Sequence, residues 1–202
     1  MLDRALTALI RRPLVALARA LVHLGVRADA VTLAGFALGL VAALCIARGQ
    51  PLPGLSFLLA SRLLDGLDGA VARLTKPTDR GAFLDITLDM LFYASIPLAF
   101  AIADPAANAL AAAVLLAAFV GTASTFLAFA VMAQKCGLKS SAYPSKGLFY
   151  LGGLTEASET LLCFVLMCLW PQHFAWFAGV FAALCTLTVA TRLWAGWSLL
   201  RV

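Results

Sequence analysis

Four aspartates, Asp65, Asp68, Asp85 and Asp89, stand in the stretch LLDGLDGAVARLTKPTDRGAFLDITLDMLFY, residues 63–93, where the surrounding residues read as membrane hydrocarbon. On a helix turning about 100° per residue, Asp65 and Asp68 fall about 60° apart, with Gly69 and Ala72 on the same face. After a turn broken by Pro77, a second helix carries Gly81, Asp85 and Asp89 at successive i, i+4 positions, again one stripe with glycine at its start. Two antiparallel helices joined by so short a turn are neighbours, so the two stripes converge on one cavity. Four carboxylates there would repel one another and lose their hydration unless something positive sat among them. Arg62, Arg73 and Arg80 are expected toward other faces or at the membrane boundary, and three cations do not balance four anions; two divalent ions do. Donors that are all oxygen, with no histidine or cysteine in the cluster, favour Mg²⁺, Mn²⁺ or Ca²⁺ over zinc. A paired-metal site of this kind clamps phosphates and stabilises the attacking and leaving oxygens of a displacement. A helix cap or an interfacial ion pair explains one such aspartate more easily than four in two facing sets.

The elements that must position these side chains belong to an all-α membrane protein. The chain has 202 residues, of which 63% are hydrophobic and 12% charged, and its mean hydropathy is +0.97. Such a composition excludes an ordinary soluble domain. Six apolar stretches are long enough to span, at about residues 30–48, 53–73, 82–103, 107–133, 147–170 and 173–199. They form one six-helix transmembrane domain over residues 28–202. Residues 1–27 precede it, with Leu2, Leu6, Leu9, Leu17 and Leu21 at helical spacing and Arg4, Arg11, Arg12 and Arg19 mostly on another side. That pattern predicts an amphipathic helix lying in the interface. Arginines interrupt its apolar positions throughout, unlike the core of a secretory signal, so the segment is expected in the mature protein.

Basic residues gather before the first span, at Arg73, Lys76 and Arg80, and at Lys135, Lys139 and Lys146, and are sparse at the opposite ends. The positive-inside rule then puts both termini and the aspartate-rich turn on the cytoplasmic side of a multi-pass protein of the cell membrane. The net charge of +5 sits in short turns beside apolar spans, where anionic lipid, and not nucleic acid, is the economical partner. Five cysteines show no C-x-x-C pair and no interleaved histidine, and are expected to act as small hydrophobes.

The run DGLDGAVAR followed by GAFLDITLD resembles the signature of the CDP-alcohol phosphatidyltransferase family, D-x-x-D-G-x-x-A-R, a spacer, then G-x-x-x-D-x-x-x-D. Every fixed position is present: Asp65, Asp68, Gly69, Ala72, Arg73, Gly81, Asp85 and Asp89. The spacer LTKPTDR is one residue shorter than the family's usual one. The six spans and the interfacial N-terminal helix also match the fold that the family would imply.

The resemblance implies a metal-dependent transfer in phospholipid synthesis. The hydroxyl of an acceptor alcohol attacks the phosphorus farther from cytidine in a CDP-alcohol, and CMP leaves. Asp65, Asp68 and Asp85 would hold two Mg²⁺ or Mn²⁺ ions, and Asp89 would complete their shell and serve as general base. Gly69, Ala72 and Gly81 would leave room for the nucleotide, with Arg73 and Thr78 contacting its phosphates or sugar. Asp29 and Thr32, in ADAVT, occupy the place of a Pro-Asn-x-x-Thr stretch associated with nucleotide binding; only the threonine matches. CDP-diacylglycerol is the donor the family leads one to expect, while a soluble CDP-alcohol with a lipid acceptor uses the same machinery. The residues after Gly81 match neither the glycerophosphate-acceptor nor the serine-acceptor wording, so the acceptor stays unnamed.

Lys146 is either a phosphate-binding residue or an ordinary positive-inside lysine. Glu156 and Glu159, one helical turn apart, either line the acceptor pocket or hydrogen-bond across the bundle. Gly35 and Gly39, in GFALG, form the G-x-x-x-G pattern of close helix contacts, within the chain or in a homodimer. His23, His173 and the four tryptophans are expected as interfacial or lipid-facing anchors. Two rivals are weaker. Membrane prenyltransferases would carry two distant aspartate motifs and no D-G-x-x-A-R, and a divalent-cation transporter would need polar groups continuing to the far side, where little beyond Asp104 is available.

Overall fold

The computed structural model describes the backbone of residues 2–137 and 154–200, with side chains from Pro13 onward. Every regular element among them is a helix: α1 (Leu2–His23), α2 (Ala28–Ala47), α3 (Pro51–Leu74), α4 (Asp79–Ala103), α5 (Pro105–Lys135), α6 (Ala157–Leu169) and, after a single 3₁₀ turn at Pro171–His173, α7 (Phe174–Leu199).

Local chemistry sets the helix ends. Gly25 (φ 75°) and Gly49 (φ 74°) take the left-handed conformation just past α1 and α2. In each case the following amide bonds five residues back, Val26 N to Leu21 O and Gln50 N to Cys45 O, both at about 3 Å. This is the Schellman closure that glycine permits. Pro51 and Pro105 begin α3 and α5, where a missing N–H costs nothing. Asp104 ends α4 and caps α5, its carboxylate accepting from Ala107 N at 3.1 Å.

Helix α2 packs against both α3 and α4, α5 against α4 and α7, and α1 lies on α3. The larger core cluster is built on Phe92, Ile96 and Phe100 of α4, Leu115 of α5, Phe164 and Met167 of α6, and Phe174, Phe181 and Cys185 of α7. Phe100 stacks on Phe174 with ring centroids 4.6 Å apart. A second cluster joins Ala18 of α1, Val31 of α2 and Leu67, Ala70 and Val71 of α3. Of the two helices that carry the aspartates, α3 contributes to both clusters, through Leu58 and through Leu67, Ala70 and Val71, and α4 to the larger one. Arg192, which its place in an apolar span did not single out, is buried on α7 and donates to Thr122 O of α5 at 3.1 Å.

Among the described residues four helical stretches are long and apolar enough to cross a membrane: α2, α4, α5 and Pro171–Leu199. The expectation of six spans is thus met in part, and for two physical reasons. The 24 residues of α3 reach about 36 Å, but Arg62, Asp65, Asp68 and Arg73 interrupt the apolar run. The 13 described residues of α6 reach about 20 Å, short of a hydrocarbon core of about 30 Å. The four tryptophans are exposed, Trp194 and Trp197 each at 76%, as lipid-facing anchors would be. Cys163, Cys168 and Cys185 are buried, and all five cysteines are free; among the described residues the group placed to hold a metal is made of aspartates.

Candidate metal centre and its arginine

Small residues bring three helices close enough to build the site. A Cβ on Gly35 would stand 3.2 Å from Leu64 Cβ and 3.4 Å from Ser61 O, both on α3. On Gly39 it would stand 2.5 Å from Cδ2 of Phe92 on α4. The G-x-x-x-G pair of α2 is therefore engaged inside the chain, letting α2 lie in the groove between α3 and α4.

Across that junction Asp65, Asp68 and Asp85 each offer a carboxylate oxygen, the three lying within 4.8 Å of one another. Asp68 is 5% exposed; the hydroxyl of Thr32, which also bonds Ala28 O at 3.1 Å, stands within hydrogen-bond reach of its carboxylate. Its Oδ2 is buried without a hydrogen-bond partner among the described residues. An orphaned buried carboxylate oxygen beside two more carboxylates is costly as protein alone and fits a hard divalent cation with oxygen ligands.

Asp89 takes a different place from the other three. It lines the same cavity as Thr32, Gly35, Phe36, Arg62, Asp65, Asp85 and Leu88. Its Oδ1, however, accepts a hydrogen bond from Nη1 of Arg62 at 2.7 Å. The same nitrogen is 3.7 Å from Asp65 Oδ2, Nη2 donates to Ser61 Oγ at 3.3 Å, and the guanidinium lies 3.8 Å over the Phe92 ring. Arg62 is thus not turned toward another face or the membrane boundary, as the sequence led one to expect; it stands among the carboxylates, against Asp89 and Asp65. The available signal was its i, i+3 spacing from Asp65, which puts both on one face of α3. Asp65 meanwhile feels repulsion from Asp89, Asp68 and Asp85 and attraction from Arg62. The four carboxylates and one guanidinium leave a formal excess of three negative charges.

The remaining sequence-predicted residues form a rim. Asp29 pairs with Arg80 at 2.8 Å. Thr78 caps α4, its hydroxyl accepting from Gly81 N at 3.0 Å. A Cβ on Gly81 would stand 3.1 Å from Thr78 Oγ1 and 3.2 Å from Asp29 Oδ1, so this glycine admits α2 to the start of α4. Arg73 folds back along α3 until its Nη1 lies 3.2 Å from where a Gly69 Cβ would be; Ala72 is half-buried beside it. Lys146 falls outside the described residues. Glu156 and Glu159 form a reciprocal capping box on α6, with Glu159 Oε2 accepting from Glu156 N at 3.1 Å.

Residues 25–194 match the family model for CDP-alcohol phosphatidyltransferase, and the chain belongs to that family, as a membrane transferase of phospholipid biosynthesis. Among its relatives, the inner membrane protein YnjF of Escherichia coli (strain K12) is 51% identical over 201 residues, covering 100% of this chain and 98% of that one. Archaetidylinositol phosphate synthase of Methanothermobacter thermautotrophicus is 48% identical over 65 residues, 32% of this chain and 33% of that one. The fold is similar to the crystal structure of Mycobacterium tuberculosis phosphatidylinositol phosphate synthase with CDP-DAG bound, at a TM-score of 0.66 and 23% identity over 92% of this chain and 94% of that one. It is also similar to the complex of that synthase with manganese and citrate, at a TM-score of 0.68 and 23% identity over 91% of this chain and 88% of that one.

Proposed function

We propose that this protein transfers a phosphatidyl group from CDP-diacylglycerol to an acceptor alcohol, releasing CMP, at the cavity between α2, α3 and α4. The observation that carries the reading is the separation of labour among the carboxylates: three lie together with a buried orphan oxygen, while the fourth is held across the same cavity by an arginine. Family membership supplies the reaction class.

Asp65, Asp68 and Asp85 would hold the divalent metal, Mg²⁺ or Mn²⁺. When bound, the metal supplies charge neutralisation at the donor's pyrophosphate and at the departing CMP. Two such ions together with Arg62 would balance the four carboxylates and part of the pyrophosphate charge. Asp89 would complete the metal's shell and accept the proton of the acceptor hydroxyl as that oxygen attacks phosphorus. Thr32 steadies Asp68. The rim of Asp29, Thr78 and Gly81 borders the nucleotide, with Arg73 over Gly69 contacting phosphate; Lys146 would meet phosphate on acceptor or lipid. The site opens on the cytoplasmic side, where both termini also lie.

The test is CMP release by the purified protein in detergent with Mg²⁺ and CDP-diacylglycerol, offered glycerol 3-phosphate, serine, inositol, inositol phosphate and glycerol separately. Inositol phosphate comes first, because the relative matched over part of the chain is named for making archaetidylinositol phosphate. Acceptor-dependent release, lost in Asp89→Asn, is expected. No release with any acceptor, followed by release with a soluble CDP-alcohol, would reassign the donor. Metal uptake into sealed vesicles without any turnover would reassign the protein to transport.

A further inference from the structure

We propose that α1 docks on an anionic lipid surface through the face that carries Arg12 and Arg19, and that this contact braces the part of α3 that holds Asp65 and Asp68. The helix has three faces where an ordinary amphipathic helix has two. At about 100° per residue, Leu14, Ala18 and Leu21 fall within about 60° of one another, and they form one cluster with Leu67, Ala70 and Val71 of α3. Arg12, Ala16, Arg19 and His23 share the opposite side of the helix; Ala16, Arg19 and His23 are exposed. Pro13, Leu17 and Ala20 lie between these two faces and are exposed as well, Leu17 at 59%. An exposed apolar face beside an exposed basic one suits a helix at the boundary of hydrocarbon and headgroups, with leucine among the acyl chains and arginine at the phosphates.

Charge selects the lipid. From Arg4 to Arg27 the chain carries five arginines and no carboxylate, and the salt bridges among the described residues are made by Arg62 and Arg80, none by Arg19. A second copy of so basic a helix would be repelled, and a zwitterionic surface has no net charge to offer; an anionic surface attracts each arginine brought near it. The packed side of α1 carries the consequence inward. A Cβ on Gly66 would stand 3.6 Å from Leu14 Cδ1, so Leu14 lies over the residue next to Asp65. Leu67 and Ala70 lie on the side of α3 away from the carboxylates, and α1 is the wall behind them. Holding α1 at the lipid surface holds that wall in place.

Docking is independent of the reaction proposed above, and only its effect on turnover rests on that reading. The experiment is hydrogen–deuterium exchange, read by mass spectrometry, on the full chain in nanodiscs of phosphatidylcholine alone or of phosphatidylcholine with phosphatidylglycerol. In the anionic discs the α1 amides of the wild type are expected to exchange about fivefold more slowly, and those of residues 66–74 of α3 to slow with them. The double variant Arg12→Gln, Arg19→Gln is expected to lose both differences. Arg12→Lys, Arg19→Lys is expected to keep them, because the surface reads charge. With a low, fixed surface fraction of CDP-diacylglycerol, CMP release by the wild type is expected to be about twofold or more faster in the anionic discs. The glutamine variant should keep the rate of the neutral discs in both. Equal α1 exchange of the wild type in the two discs, or a difference that survives in the glutamine variant, would overturn the docking. Slowed α1 with residues 66–74 and the CMP rate unchanged would overturn the bracing. Should the glutamine variant not fold, salt replaces it: at about 1 M, where the screening length is about 3 Å, the wild-type difference must vanish, and its persistence overturns the proposal. A wild type that released no CMP in either disc would sink the proposed reaction, while amide exchange would still decide the docking.

Discussion

At the scale of single residues, the four aspartates are chemically identical and structurally unequal. Asp68 is buried with one oxygen unpartnered, whereas Asp89 is bonded to Arg62. Their substitutions are accordingly expected to separate. Asp68→Ala removes a donor from the three-carboxylate set, and losing such a ligand costs at least as much as losing a supporting contact, about tenfold or more in Mn²⁺ affinity. Asp89→Asn keeps the side chain's shape and leaves that set intact. It is expected to bind Mn²⁺ within about twofold of wild type while losing turnover by at least about a hundredfold. Calorimetric Mn²⁺ titration of both variants checks the first quantity and CMP release the second. Full turnover in Asp89→Asn at saturating Mg²⁺ would remove Asp89 from the role of base.

At the scale of elements, α2 is what turns two aspartate-bearing helices into a site. Its Gly39 faces Phe92, the same ring on which Arg62 lies, so backbone approach and arginine placement share one support. A branched side chain there has no room. Gly39→Val is expected to destabilise the protein by about 1–3 kcal/mol through overpacking, seen as a lower thermal midpoint in detergent, and to reduce CMP release measured well below that midpoint because Phe92 and Arg62 are displaced together. Wild-type melting and turnover would show that α2 can back away at no cost. Legibility at this scale was uneven. The G-x-x-x-G pattern was visible, but Gly35 and Gly39 carry no mark of whether they meet a helix of the same chain or of a second copy. Glu156 and Glu159 were visible as intramembrane acids, and only the start of α6 at Ala157 makes them a capping box.

At the scale of the whole molecule, the membrane itself is the frame, and the proposed sidedness rests on the charges at helix ends. Cys136 is exposed immediately after α5, beside Lys135 and on the side assigned to the cytoplasm, while Cys163, Cys168 and Cys185 are buried. A membrane-impermeant maleimide is expected to label Cys136 in inverted vesicles and not in right-side-out ones, with Cys136→Ser as the control. Labelling from the other face would reverse the orientation and place the metal centre away from cytoplasmic CDP-alcohols. Composition and periodicity determined, without coordinates, that the chain is helical and lives in a membrane, and the spacing of Asp65, Asp68, Asp85 and Asp89 determined that two helices carry facing acidic stripes. These are properties of local repeat, which the helix geometry converts directly into faces. Spacing did not reveal that Arg62 reaches across 27 positions to Asp89, that Asp65, Asp68 and Asp85 bring their oxygens within 4.8 Å of one another, or that Gly39 meets Phe92. Those contacts depend on how far each helix is rotated and slid against the next, and that is decided by the packing of side chains distant in sequence.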